Sequence, residues 1–143
     1  MFEKIQLDPL NQFYPVKLDE IKNSESKLAI QIPELLKEFY LEVGYGFLKS
    51  KVANINRIMD PESILDFRLR QHDFDFYPDI EIYNQFEDDK LVFFEANEVA
   101  LLSIGFAAEN KGKIYYYDKE IAPNLVELLE QLMEDDTFYY DLI

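Results

Sequence analysis

Apolar side chains at Leu18, Ile21 and Leu28, with Glu25 on the same stripe, recur at spacings of three and four and predict an amphipathic helix over 18–28. Ile32-Pro33-Glu34 opens a second helix. Proline suits a first helical position because its missing N–H is not needed there, and Glu34 complements the positive helix end. Leu35, Leu36, Phe39, Tyr40 and Val43 form its apolar face, and Gly44-Tyr45-Gly46 reads as its stop. Residues 47–58 mix β-branched and polar side chains without helical spacing, as one bent strand or two short ones would. Asp60-Pro61-Glu62 then starts a third helix, with Asp60 as N-cap and a narrow stripe of Ile64, Leu65 and Leu69.

Residues 71–90 interleave acids with aromatics and follow neither period, which predicts an irregular, partly helical segment. Two short apolar runs, Leu91–Glu95 and Val99–Ile104, flank Ala96-Asn97-Glu98 and predict a β-hairpin. Ile114–Tyr117 is a further strand, reached through the turn-prone Asn110-Lys111-Gly112-Lys113. The clearest helix follows Ala122-Pro123. Leu125, Leu128, Leu129, Leu132 and Met133 make one face, and Glu127, Glu130 and Glu134 stand opposite. No repeat or linker interrupts residues 1–143. The order predicts a single α+β domain with a central, mainly antiparallel sheet packed with N-terminal and C-terminal helices.

Of 143 residues, 48% are hydrophobic and 15% aromatic, enough for a real core. A domain of this size buries about 70% of the surface its unfolded chain exposes. Cysteine is absent, which removes disulfides, thiol nucleophiles and thiolate metal sites and suits a reducing cytoplasm. Neither a basic-then-apolar leader nor an apolar run of membrane-spanning length occurs, so neither export nor a membrane is expected. The net charge is −15, and it is unevenly placed: residues 71–143 carry 4 basic and 18 acidic side chains, whereas residues 1–70 carry 10 and 11. Such a field repels nucleic acid and attracts a basic protein partner. Solubility alone also accounts for it.

The chemistry that charge could serve is sparse. His72 is the only histidine, and without cysteine it cannot build a structural zinc site unless carboxylates join it. Asp73, Asp75 and Asp79 fall at positions 1, 3 and 7 of a calcium loop, yet Pro78 occupies the sixth position, where glycine is needed, and Asn84 the twelfth, where an acid is needed. Gly44-Tyr45-Gly46 follows a helix and lacks a third glycine, so it is no dinucleotide fingerprint. The spacing from Gly105 to Gly112-Lys113 does not fit a phosphate loop. Paired carboxylates abound without any pair standing out. No catalytic residue, metal or cofactor is predicted, and binding is favoured over catalysis.

One segment stands out. Asp73, Asp75, Asp79, Glu81, Glu87, Asp88 and Asp89 alternate with Phe74, Phe76, Tyr77, Tyr83 and Phe86. Aromatics give contact area at interfaces and acids give complementarity to a basic partner, so the candidate protein-binding residues are Asp73, Asp75, Tyr77, Asp79, Glu81, Tyr83, Glu87, Asp88 and Asp89. Charge reversal at Glu87, Asp88 and Asp89 is then expected to slow association. The alternative makes the aromatics core anchors and the acids their solvated cover. Tyr139, Tyr140 and Asp141 repeat the composition in miniature.

The ordered set of features resembles a known family. It comprises a helix carrying Glu25, Ile32-Pro33 leading into Leu35, Leu36, Phe39 and Tyr40, a glycine stop, Asp60-Pro61-Glu62-Ser63-Ile64, Ile114-Tyr115-Tyr116-Tyr117-Asp118, and a Leu-rich final helix. Over residues 15–135 it resembles the SUKH superfamily, which groups yeast cell-wall (glucan) synthesis regulators with bacterial immunity proteins. Where that family often ends its second helix in Asn-Gly-Gly, this chain has Val43-Gly44-Tyr45-Gly46. The resemblance implies a cytoplasmic α+β binding domain without catalytic activity, made to neutralise a polymorphic toxin of nuclease or deaminase type. A regulatory scaffold of the cell-wall synthesis type, binding several cellular proteins, is the alternative it implies.

Overall fold

A computed structural model describes residues 1–50, 54–96 and 100–142. Seven strands lie side by side in chain order, each antiparallel to the next. They are β1 (Gln12–Tyr14), β2 (Tyr45–Phe47), β3 (Asn56–Ile58), β4 (Lys90–Ala96), β5 (Ala100–Gly105), β6 (Ile114–Tyr116) and β7 (Lys119–Ala122). The α-helices are α1 (Glu3–Leu7), α2 (Leu18–Leu28), α3 (Glu34–Glu42), α4 (Pro61–Leu69) and α5 (Leu125–Glu134). The fold is thus α+β, a single antiparallel sheet flanked by helices. The predicted hairpin is β4–β5, whose connecting residues 97–99, including Val99, lie outside the described residues.

Sequence periodicity missed α1, β1, β2 and β7. The strands among them are three or four residues long, too short to show an alternation. Gly44 and Gly46 do more than stop α3. Their φ angles are +120° and +143°, and a Cβ on either would stand 2.0 Å from the Tyr14 carbonyl oxygen or 2.2 Å from that of Gln12. Only glycine lets β2 approach β1 this closely. Two starting residues also differ from expectation. Pro33 stands one position before α3 with an extended backbone. Asp60 occupies the N-cap position of α4, yet its carboxylate caps no backbone N–H; it accepts from Arg57 and Ser63 instead.

Strand register divides the sheet into two faces, because successive side chains point to opposite sides. Phe13, Gly46, Ile58, Phe94, Leu102 and Tyr116 stand opposite one another in a row. That row faces the core: the Phe13 ring meets Phe39 of α3 at 5.6 Å, and Ile58, Phe94 and Leu102 are wholly buried. A bulge between Val92 and Phe94 interrupts β4, where Phe93 and Phe94 are both buried. In α5 the predicted face is the buried one, through Leu125, Leu128, Leu129 and Leu132. Asn124 caps it by accepting the Glu127 N–H at 3.0 Å, which satisfies one orphan donor. Glu25, the charged member of the α2 stripe, accepts the Ile32 N–H at 2.8 Å and pairs with Lys37, tying α2 to α3.

Within the C-terminal 3-10 turn, Phe138–Leu142, Tyr139 belongs to the core, whereas Tyr140 is 40% exposed. Tyr139 is fully buried. Its hydroxyl donates to Asn56 Oδ1 at 3.0 Å, while Asn56 Nδ2 donates to the Asp136 carbonyl at 2.8 Å. Burial raises the Tyr139 phenol to about 12, so it remains a donor at any physiological pH.

Candidate functional site

Residues 72–86 form two short 3-10 helices, His72–Phe74 and Ile80–Phe86. Aromatic side chains pin the segment to α4. Phe67 gathers Phe74 at 5.1 Å, Tyr83 at 5.7 Å and Tyr77 at 6.3 Å, mostly edge to face, the arrangement ring quadrupoles favour. Tyr83 also stacks on Tyr117 at 5.4 Å. Burial, with Tyr117 beside it, pushes the Tyr83 phenol far above its usual value.

This geometry divides the nine candidate residues. Tyr83 and Glu87 are buried and serve the fold. Glu87 holds Arg70 and lies 3.9 Å from Arg68, which makes it the counter-ion of two cations and no part of an open acidic face. Asp89 is half-buried beside Lys90, at 2.8 Å. Tyr77 is half-buried. Asp73, Asp75, Asp79, Glu81 and Asp88 remain exposed. Phe76 projects almost entirely into solvent, at 92% exposure.

One of the exposed members, Asp79, lines a groove that the sequence did not announce. Tyr77, Pro78, Asp79 and Ile82 line it together with Glu95 and Leu101 of the sheet and Tyr117 of the turn after β6, around a volume of about 570 Å³. Asp79 turns the wall with φ +59°, a left-handed conformation that aspartate tolerates better than most residues. Glu95 and Leu101 end a cross-strand row that runs Gln12, Phe47, Arg57, Glu95, Leu101 on the face opposite the core row. Tyr14 and Tyr45 stand in the next row, 5.5 Å apart. Tyr14, Phe47 and Ile55 are exposed to 47%, 39% and 46%.

Arg57 sits where this apolar sheet surface meets the groove. Its guanidinium pairs with Glu95 and with Asp60 at 3.2 Å. Two carboxylates thus share one guanidinium. Among the described residues, Asp79 itself has no ion pair. The surface therefore combines aromatic contact area, a polar rim and uncompensated negative charge, the composition of a protein interface. The strand expected over 47–58 covers Phe47, Ile55 and Arg57 of its sheet half, whereas Tyr14 and Tyr45 lie outside every expected strand.

His72 lies outside the groove. Its ring Nδ1 meets Asp66 Oδ1 at 2.9 Å, and that hydrogen bond, with the Asp66 charge, raises its pKa above the ordinary 6.5. A raised folded-state value means the contact's stabilisation is complete below the unfolded value and fades as pH climbs through the folded one. Denaturation of wild type and His72→Gln should therefore differ most on the acid side of pH 6.5 and converge at higher pH. A constant difference across that range would show that the ring acts through packing.

Among the described residues, no helix is long and apolar enough to cross a membrane, and no group of His, Asp and Glu is placed to hold a metal ion. The sequence model of the SUKH_6 family, described as SMI1-KNR4 cell-wall, matches residues 18–129. A relative from Bacillus subtilis (strain 168), named Immunity protein YxxD, is 55% identical over 133 residues, covering 93% of this chain and 90% of the relative. No solved structure matches the chain.

Proposed function

The chain belongs to the SUKH superfamily, in its SMI1-KNR4 cell-wall family, and from that premise we propose that it is an immunity protein, a non-catalytic domain that binds and neutralises a toxin. The observation that carries this reading is its 55% identity, over nearly its whole length, to a protein named for immunity. The charge distribution supports a finer reading in which the toxin acts on nucleic acid, as a nuclease or deaminase. Such an enzyme is basic where it grips phosphates. Its basic surface would be drawn to an inhibitor whose second half carries 18 acidic side chains against 4 basic ones. The site of action is the cytoplasm, where a toxin of this class meets its substrate.

Affinity capture from native lysate on the tagged protein, washed at low and then high salt, tests the reading. One small basic polypeptide, held stoichiometrically and loosened by salt, is the expected result. A diverse set of envelope or metabolic proteins would instead support the scaffold role that the cell-wall description suggests. With the partner in hand, lysine at the exposed Asp73, Asp75 and Asp88 should slow association severalfold at low salt and lose its effect as salt rises. Glu87 is spared because it is a fold residue.

A further inference from the structure

We propose that the groove between residues 77–82 and the sheet is a receptor for a single arginine side chain of the partner, with its guanidinium between Asp79 and Glu95 and against the Tyr117 ring. The immunity reading supplies only the identity of the partner; the groove's chemistry stands on its own geometry. Three observations converge on it. Asp79 and Glu95 both line the groove, and Glu95 shares Arg57 with Asp60, so the region keeps an excess of negative charge that a cation would offset. Tyr117 and Tyr77 present aromatic rings in the same cleft. A flat, delocalised cation stacks on such rings while offering several donors to carboxylates, which an ammonium cannot match. Finally, Ile82, 41% exposed, lines the groove, and Phe76, 92% exposed, immediately precedes Tyr77 in the chain, apolar surface that a docked protein would cover. An arginine flanked by apolar residues fits this combination. Arginine and aromatic side chains are also the groups that most often dominate binding energy at interfaces.

The test uses the full chain, isotopically labelled, titrated with N-acetyl-arginine amide at low salt and followed by NMR. N-acetyl-lysine amide and the uncharged N-acetyl-citrulline amide serve as controls. Saturable shifts confined to Tyr77, Asp79, Glu95, Leu101 and Tyr117 are expected, weaker by severalfold for lysine and absent for citrulline. Asp79→Asn should abolish them, and asparagine tolerates the same left-handed backbone. Equal response to lysine, shifts scattered over the acidic surface, or no response would each overturn the assignment. Against the captured polypeptide, Asp79→Asn and Ile82→Glu should each weaken binding by about tenfold or more. Unchanged binding by both would remove the groove from the interface and leave the immunity reading standing. Arginine amide bound in the groove with no polypeptide captured from lysate would do the reverse.

Discussion

Replacing Glu87 with lysine should lower the unfolding free energy by about 3 kcal/mol or more, the range expected when one partner of a buried ion pair is lost. Glu87 is 8% exposed and holds Arg70, with Arg68 3.9 Å away. Arg70 also donates to the Phe67 carbonyl at 2.6 Å and to Asn84 at 2.7 Å, so it cannot swing away without releasing the C-terminus of α4. Lysine would thus place a third cation among two that are already anchored. Its neighbour Asp88 is exposed, and Asp88→Lys should shift stability by only about 0.5 kcal/mol in either direction. Urea denaturation of the two variants decides the matter. Equal stabilities would mean that Glu87 is solvated and that the acidic run is one continuous surface.

Gly46→Ala is expected to be comparably damaging, at about 2–4 kcal/mol, because a strained backbone conformation and an overpacked contact both contribute. The obstacle is the Gln12 carbonyl oxygen at 2.2 Å. It is backbone, so no side-chain rotation relieves it, and β1 must separate from β2. Gly112 supplies the control: its φ is +82° and nothing lies within 4 Å of an added Cβ. Gly112→Ala should therefore show only the torsional term, roughly 1–2 kcal/mol. Hydrogen exchange should report early opening of residues 12–14 in the Gly46 variant alone. If the two substitutions prove equally mild, close approach is not what requires glycine at position 46.

The helices were legible because a 3.6-residue period survives over nine or more positions. Leu125 through Met133 declared α5 and its buried face outright, and the stripe through Glu25 located α2. The shortest strands carried no such signal, so β1, β7 and most of β2 were missed and Tyr14 with them, although Phe47 and Arg57 fall within the strand expected over 47–58. Within 73–89 the limit was different. Glu87, Asp88 and Asp89 are chemically equivalent in a sequence, and what buries the first is a pair of arginines 17 and 19 residues earlier, across the C-terminus of α4. The alternating aromatics divide by burial: Phe74 and Tyr83 anchor the segment, whereas Phe76 stands exposed. No local pattern could have joined Asp79, Glu95 and Tyr117, because the groove exists only once the 3-10 segment folds over the sheet.

The two rows across the sheet carry a consequence for how such a protein diversifies. Phe13 lies between Gln12 and Tyr14 in β1, and Ile58 follows Arg57 in β3, so positions adjacent in sequence belong to opposite faces. One set, from Phe13 to Tyr116, is locked to the helices; the other, from Gln12 to Leu101, is open over β1 to β3 and meets the groove at β4 and β5. Side chains on the open face can change without entering the packed layer beneath, because the pleat sends neighbours to opposite sides. Were this open face the one that meets the proposed partner, a lineage would be able to rewrite Gln12, Tyr14 and Phe47 to follow a changing adversary while the intervening residues keep the same scaffold, so that specificity drifts and the fold stays put.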